Sequence, residues 1–350
     1  MKKKIGIITI TGLGNYGNRL QNYALQQVIE KIPGCKCETL HNNSCRLKGY
    51  IKKIVMPKRH TLSEREQKFQ EFNNEFISFT DISISNIAKD RRLLEYDCLV
   101  CGSDQIWNSD FPENDRANFG YFFAKQTVIS YAASFGTDTV AESKRTRYAK
   151  YLNRMKAISV REEKGKEIAE QLTGRNDVFV HLDPTLLLTE DEWSCVEKRP
   201  EQYRNEKYIL KYFLGSENIQ LDKEIEMYAQ KHELKIIDAI SPSSIYCNIG
   251  PSEFLFLEKN AELIVTDSFH ACAFSVIYKK PFIVAERQEK ALQGMGSRID
   301  TLLKHFQLEN QKYTGDNFDQ LIISSVNYQK TEEIIELEKK RSIEYLKENI

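Results

Sequence analysis

Four stretches of the chain place carboxylate, guanidinium, imidazole, hydroxyl and amide groups directly after apolar runs. The first is TGLGNYGNRLQNYAL at 11–25, in which Gly12, Gly14 and Gly17 form a G-x-G-x-x-G pattern. Glu38 follows about 20 residues later, the spacing of a dinucleotide fingerprint. Against that reading, Glu38 falls inside the next expected strand and not at its end. Asn18 and Arg19 also stand where the helix of such a motif packs closely. The other reading is that the glycines let the backbone approach a ligand or turn tightly. Asn15, Asn18, Gln21 and Asn22 then present amides suited to sugar hydroxyls.

The second stretch, CGSDQIWN at 101–108, ends a strand in Gly-Ser-Asp. Ser103 and Asp104 either cap the next turn or offer an acceptor carboxylate and N–H groups to a ligand. Trp107 is either a sugar-stacking face or a core aromatic. In the third, ISVREEKG at 158–165, Arg161 either pairs on the surface with Glu162 or Glu163 or holds an anion. The fourth runs from ELIVTDSFHACAF to GSRIDTLL. There Asp267 and Ser268 end a strand, and a helix begins near Ser268 with its positive dipole end exposed to ligand. His270 rides in the first turn, either as an ordinary buried histidine or as an anion donor and proton carrier. Arg298 opens the following helix, free to pair with Asp300 or to serve the same site.

These loops need strands and helices to carry them. Short β-branched or aromatic runs at 4–10, 36–40, 96–101, 127–134, 156–160 and 178–182 alternate with amphipathic segments at 18–32 and 141–155. After a polar stretch near 196–206 the pattern restarts, with strands YILKYFLG, LKIIDAI, ELIVTD and PFIVAE. Helices are expected at 217–231 and from Pro251, Ser268 and Ser297. The fold class is therefore α/β: two Rossmann-like domains, 1–198 and 199–325, followed by a C-terminal helix over 326–350. Two facing domains of this kind put the carboxyl ends of both sheets around a central cleft. The charged 57–71 region reads as a solvated helix or excursion.

Composition narrows the function. Fifty Lys plus Arg balance fifty Asp plus Glu over 350 residues, which argues against an electrostatic nucleic-acid binder. Hydrophobic residues make up 41%, enough for ordinary cores. No apolar run approaches the roughly 20 residues that cross a bilayer, and MKKK before IGIITITGLG is read as a strand start, not a signal peptide. Eight scattered cysteines indicate a reducing cytoplasm and no disulfide scaffold. Cys98 and Cys101, three apart on a strand, point to opposite faces. Cys35 and Cys37 have no companion pair at zinc spacing, so no metal is expected.

With the loops assembled, NYGNRLQNYALQ, CGSDQIWN, ISVREEKG, HLDPTLLL, GPSEFL and VTDSFHACAFSVIYKKPF occur in the order and approximate spacing of one family. Over about residues 5–305 the chain resembles the polysaccharide pyruvyl transferases. The resemblance implies a fold similar to B-type glycosyltransferases and transfer of an enolpyruvyl-derived group from phosphoenolpyruvate to a sugar as a ketal. It carries the family's anion-binding arginine onto Arg161 and its histidine onto His270. Where some members have Arg-Leu-His, this chain has Ser268-Phe269-His270.

On this basis the donor is expected at Arg161, Ser268, Phe269, His270, Arg298 and Glu253. The acceptor is expected at Asn15, Tyr16, Gly17, Asn18, Gln21, Ser103 and Trp107. His270 is the acid, and Asp104 or Glu253 accepts the hydroxyl proton. Phosphoenolpyruvate is a co-substrate, and neither cofactor nor metal is required. The partners are phosphoenolpyruvate and a saccharide acceptor; a lipid-linked acceptor would bring a cytoplasmic enzyme to the membrane face. Three other readings remain: a B-type glycosyltransferase using a nucleotide sugar, a nicotinamide oxidoreductase resting on Gly12, Gly14 and Gly17, and a non-catalytic glycan binder.

Overall fold

The computed structural model describes residues 2–42, 62–85, 90–110, 115–216, 218–287, 296–323 and 326–350. They form two compact units. The first is drawn from Met1–Ser63, Asn73–Leu187 and Glu338–Ile350, and the second from Glu64–Phe72 and Leu188–Leu337.

In the first unit, β1 (Lys3–Ile8), β2 (Cys35–Asn42), β3 (Phe79–Ile84), β4 (Cys98–Cys101) and β5 (Thr127–Ser130) form one sheet in the order β3-β2-β1-β4-β5. Every pairing is parallel. Single bridges from Ile129 to Ala157 and from Ala133 to Val160 continue it toward the pair β6 (Ile158–Val160) and β7 (Val178–Val180). Strands covered on both faces are apolar throughout, and all four residues of CLVC in β4 are buried. Burial accordingly pushes the Cys98 thiol up to about 12, and that of Cys101 up as well. The two cysteines fill the core as small hydrophobes.

Helix α1 (Tyr16–Glu30) starts at Asn15, whose side chain accepts from the Asn18 N–H at 3.2 Å. Its buried face carries polar residues that bond to β2 and to the turn before β3. The Asn22 amide donates to Thr39 Oγ1 at 2.7 Å and the Gln26 amide to the Ser78 carbonyl at 2.7 Å. The charged stretch at 57–71 is described only from residue 62, and from Glu64 it is helix α2 (Glu64–Phe76). Further along lie α3 (Asp115–Asn118), α4 (Glu142–Leu152) and α5 (Glu163–Thr173).

The second unit takes the Glu64–Phe72 part of α2, continues with α6 (Glu190–Ser194) and holds a parallel sheet ordered β11-β10-β8-β9. Its strands are β8 (Tyr208–Tyr212), β9 (Lys235–Asp238), β10 (Leu263–Thr266) and β11 (Phe282–Val284). Helices α7 (Ile219–Lys231), α8 (Pro251–Asn260), α9 (Phe269–Ile277), α10 (Ser297–Phe306) and α11 (Phe318–Ile323) complete it. The terminal helix α12 (Tyr328–Asn349) is shared between the units, dividing at Leu337/Glu338. In each sheet the strand order reverses beside the first strand, between β1 and β4 and between β8 and β10. Ligands of doubly wound sheets bind outside the carboxyl ends of strands at such points.

Glu258 on α8 is wholly buried, and neither carboxyl oxygen has a hydrogen-bond partner among the described residues. Burial raises its proton affinity well above the usual carboxylate range. The folded state therefore holds a proton that the unfolded chain releases. Stability is fully present below the unfolded-state value and is lost as pH rises toward the folded one. Glu258→Gln should raise the melting temperature clearly at about pH 8 and much less at about pH 5, as read by thermal unfolding at both. Equal shifts at the two pH values would contradict this account.

Candidate functional site

At the β1/β4 reversal of the first unit, the loop after β4 turns on Gly102. Its φ is +136°, and a Cβ there would collide with the Tyr131 carbonyl oxygen. The next residues lock onto α1 and β1. The Ser103 N–H donates to Gln21 Oε1 at 3.1 Å, the Gln21 amide donates to Thr9 Oγ1 at 2.8 Å, and Thr9 Oγ1 donates to the Ser103 carbonyl at 3.2 Å. Asp104 has φ +68°, a left-handed conformation uncommon for non-glycine residues but tolerated by aspartate better than by most. Here the N–H groups of Ile106 and Ser134 both donate to its carbonyl, at 2.6 and 2.9 Å.

The Asp104 carboxylate meets a buried charge cluster. Arg161, directly after β6, donates from Nη2 to Asp104 Oδ1 at 3.2 Å and from Nη1 to Asp183 Oδ2 at 2.7 Å. The Arg161 side chain is 1% exposed and those of the two aspartates 6% and 0%, so the ion pairs are shielded from solvent. Burial alone would lower the proton affinity of the guanidinium; the Asp183 and Asp104 carboxylates more than offset it, and Arg161 stays charged. Asp183 also accepts from the Thr185 N–H and hydroxyl at 3.0 and 2.8 Å, with Ser103 Oγ 2.9 Å from its other oxygen. Arg19, fully buried on α1, donates to the Ile10 carbonyl. Burial lowers it to about 10, and Asp104 works in the opposite direction.

The structure thus joins Gln21 to Ser103 and Asp104 to Arg161, and leaves Asn15 and Asn18 partly exposed at the start of α1. Tyr16 and Gly17 are buried in its first turn. The surface pairing considered for Arg161 does not form with Glu162, which accepts instead from Ser134 Oγ at 2.9 Å and the Phe135 N–H at 3.1 Å. Trp107 is corrected from sugar platform to core residue. It is 0% exposed, stacks on Phe119 with centroids 5.0 Å apart, and donates its indole N–H to the Asn118 carbonyl. Glu38 sits within β2, with its carboxylate 2.6 Å from the Tyr96 hydroxyl and 3.2 Å from Lys4 Nζ, so it has no ribose-binding position.

At the β8/β10 reversal of the second unit, Asp267 closes β10 and gathers the loop after β8. Its two oxygens accept from the Leu214 and Gly215 N–H groups at 2.7 and 2.8 Å, and Arg287 Nε lies 3.3 Å from Oδ2. The Ser268 N–H donates to Thr266 Oγ1 at 3.0 Å, which bends the chain into α9. Ser268 has the extended backbone of an N-cap, but its side chain makes no capping bond. The Phe269 and His270 rings follow edge to face, 5.2 Å apart. His270 is 7% exposed and Arg298, at the start of α10, 5%. Asp300, the alternative partner of Arg298, is held by Lys312 Nζ at 3.0 Å.

Glu253 is corrected from donor or base candidate to helix cap. Its Oε2 accepts from the Gly250 N–H at 3.0 Å and its Oε1 from Lys68 Nζ at 2.7 Å. The Pro-Ser-Glu start of α8 carries that signal, with proline and an acid in the first turn. Four further polar residues around these two sites went unassigned on sequence grounds: Thr9, Arg19, Asp183 and Arg287. Only Asp183 had a readable cue, the Asp-Pro pair following a strand. Among the described residues no cluster of three or more His, Cys, Asp or Glu is placed to hold a metal ion, and no helix is long and apolar enough to cross a membrane.

Comparison with known proteins bears on both units. Similar solved structures include the UDP-GlcNAc 2-epimerase from Methanocaldococcus jannaschii, at 15% identity and TM-score 0.54 over 96% of this chain and 99% of that chain. A second is the UDP-GlcNAc 2-epimerase from Neisseria meningitidis, at 11% identity and TM-score 0.52 over 99% and 93%. The S. aureus MnaA-UDP co-structure matches at 12% identity and TM-score 0.51 over 100% and 91%. At these identities the likeness is one of fold, the α/β architecture with two parallel sheets found in B-type glycosyltransferases. None of the curated proteins matches the chain. The family model for polysaccharide pyruvyl transferase matches residues 15–288, from the cap of α1 to just past Arg287, taking in Ser103, Asp104, Arg161, Asp183 and His270; the chain belongs to the polysaccharide pyruvyl transferase family.

Proposed function

We propose that the chain transfers a pyruvyl group from phosphoenolpyruvate to a sugar of a polysaccharide repeat-unit intermediate, forming a ketal and releasing phosphate. The observation that carries this reading is the placement of His270 in the first turn of α9, directly outside the carboxyl end of β10. A helix start supplies N–H groups and a positive dipole end to a dianion, and imidazole supplies the proton.

In this reading His270 protonates C3 of the donor while C2 gains oxocarbenium character. One sugar hydroxyl adds at C2, giving its proton to Asp104. The C2–O bond to phosphate then breaks, and a neighbouring hydroxyl adds at C2 to close the ketal, its proton leaving with phosphate. Ser268, Phe269 and Arg298 line the donor side. Arg161, expected as a donor clamp, is engaged by two carboxylates of its own unit, which leaves little net charge for a donor. The donor's charge is therefore assigned to Arg298 and the α9 start. The acceptor side is Asn15, Asn18, Gln21 and Ser103. A lipid-linked acceptor would place the reaction at the cytoplasmic membrane face.

The test is incubation with phosphoenolpyruvate and a panel of lipid-linked or nitrophenyl glycosides. Mass spectrometry reports the pyruvate adduct, and NMR the ketal methyl. One phosphate should be released per ketal, and His270→Ala should slow formation roughly a hundred- to ten-thousand-fold. Near wild-type turnover by His270→Ala would remove the acid role. Hydrolysis of a nucleotide sugar, with no adduct from phosphoenolpyruvate, would replace the whole reading by the glycosyltransferase one.

A further inference from the structure

Asp104 is buried and shares its surroundings with the buried Arg161, Asp183 and Arg19. We infer that Asp183 is a positioning residue that acts through Arg161 on Asp104, holding that carboxylate in orientation and in charge at the β1/β4 reversal. The inference rests on the reading of Asp104 as proton acceptor.

The geometry forms a relay. Asp183 is anchored independently by the Thr185 N–H and hydroxyl. Its second oxygen receives Arg161 Nη1 at 2.7 Å, and the other arm of the same planar guanidinium reaches Asp104 at 3.2 Å. A guanidinium fork fixed at one prong is fixed at the other, so the Asp183 anchor sets where Asp104 can point. Ser103 Oγ, 2.9 Å from Asp183, links the relay back to the residue preceding Asp104. The charged groups facing the cluster are Arg19 from α1, Glu162 at the start of α5, Arg161 after β6 and Asp183 after β7. Two buried cations thus sit among three carboxylates. Removing one anion alters the balance felt by Asp104, because opposite charges within about 4–6 Å move a carboxylate by one to three pH units.

The experiment compares Asp183→Asn and Asp183→Glu with wild type. For Asp183→Asn, kcat should fall at least about tenfold with the donor KM nearly unchanged. The acid limb of the kcat/KM profile should move about one unit to lower pH, since Arg161 then serves Asp104 alone. Asp183→Glu should restore the wild-type limb, and Asp104→Asn should abolish it. A profile for Asp183→Asn that superimposes on wild type would reduce Asp183 to a structural role and overturn the inference, as would an acid limb that survives Asp104→Asn. Carboxyl 13C NMR, with Asp104 assigned by its loss in Asp104→Asn, reads the same shift without turnover. If wild type makes no ketal but this resonance moves in Asp183→Asn, the proposed reaction fails while the relay stands; if the resonance stays put, the relay fails whatever the reaction.

Discussion

Replacing Arg161 with methionine should lower the unfolding free energy by roughly 3–5 kcal/mol, the cost of breaking a buried ion pair from one side. The side chain that is lost is 1% exposed and neutralises Asp104 and Asp183 together. Without it two carboxylates remain close to one another out of water, with Arg19 the other cation near Asp104. Urea unfolding at neutral pH measures the loss, and repeating it at about pH 4 provides the internal control. There the orphaned carboxylates can take up protons, and the gap to wild type should narrow. The surface arginine Arg92, which reaches Asp81 at 2.6 Å and Asp90 at 2.7 Å, has equally short contacts but is 47% exposed. Arg92→Met should change stability little, because water and salt already screen those pairs. If the two substitutions cost the same, burial is not what gives the Arg161 cluster its weight.

How far the sequence led can be judged element by element. The strands buried on both faces were legible because parallel sheets demand unbroken apolar runs, as in CLVC and LIVT. β3 was missed. Its FTDISI alternates buried Thr80, Ile82 and Ile84 with half-buried or exposed neighbours, as an edge strand should, but it follows the highly charged α2 and reads as a continuation of polar chain. The loops of the site were legible for a related reason: Gly-Ser-Asp or Asp-Ser after an apolar run has few roles except at a strand end. What each side chain does there was not. Trp107 is settled by Phe119 and Phe135, and Arg161 by Asp104, 57 residues away, and Asp183, 22 residues away. No local pattern encodes partners at such separations. Glu253 shows the converse, a strictly local capping signal that was read as chemistry.

His181 should make the first unit acid-labile in a defined window. It follows β7 and is 5% exposed, with Nδ1 2.9 Å from Ser159 Oγ and its ring 4.6 Å from that of Tyr345 on α12. Tyr345 in turn donates to the Ser130 carbonyl at 2.9 Å, so the histidine lies beneath the segment of α12 that closes this unit. Burial, and then Arg341, lower it to about 4. An unfolded chain takes up the same proton near pH 6.5. Between those values the unfolded state binds more protons, so the stability present above about pH 6.5 is lost as pH falls toward 4. The full span corresponds to roughly 3 kcal/mol. His181→Gln keeps a polar group for Ser159 but cannot be charged, so it should flatten that part of the curve when urea unfolding is followed at about pH 7, 5.5 and 4. Hydrogen exchange at the lower pH should show Glu338–Ile350 losing protection before β1 and β4, because charging the ring first weakens its packing on Tyr345. A variant that loses stability with acid as steeply as wild type would assign the effect to other groups, the Asp104–Arg161–Asp183 cluster first among them.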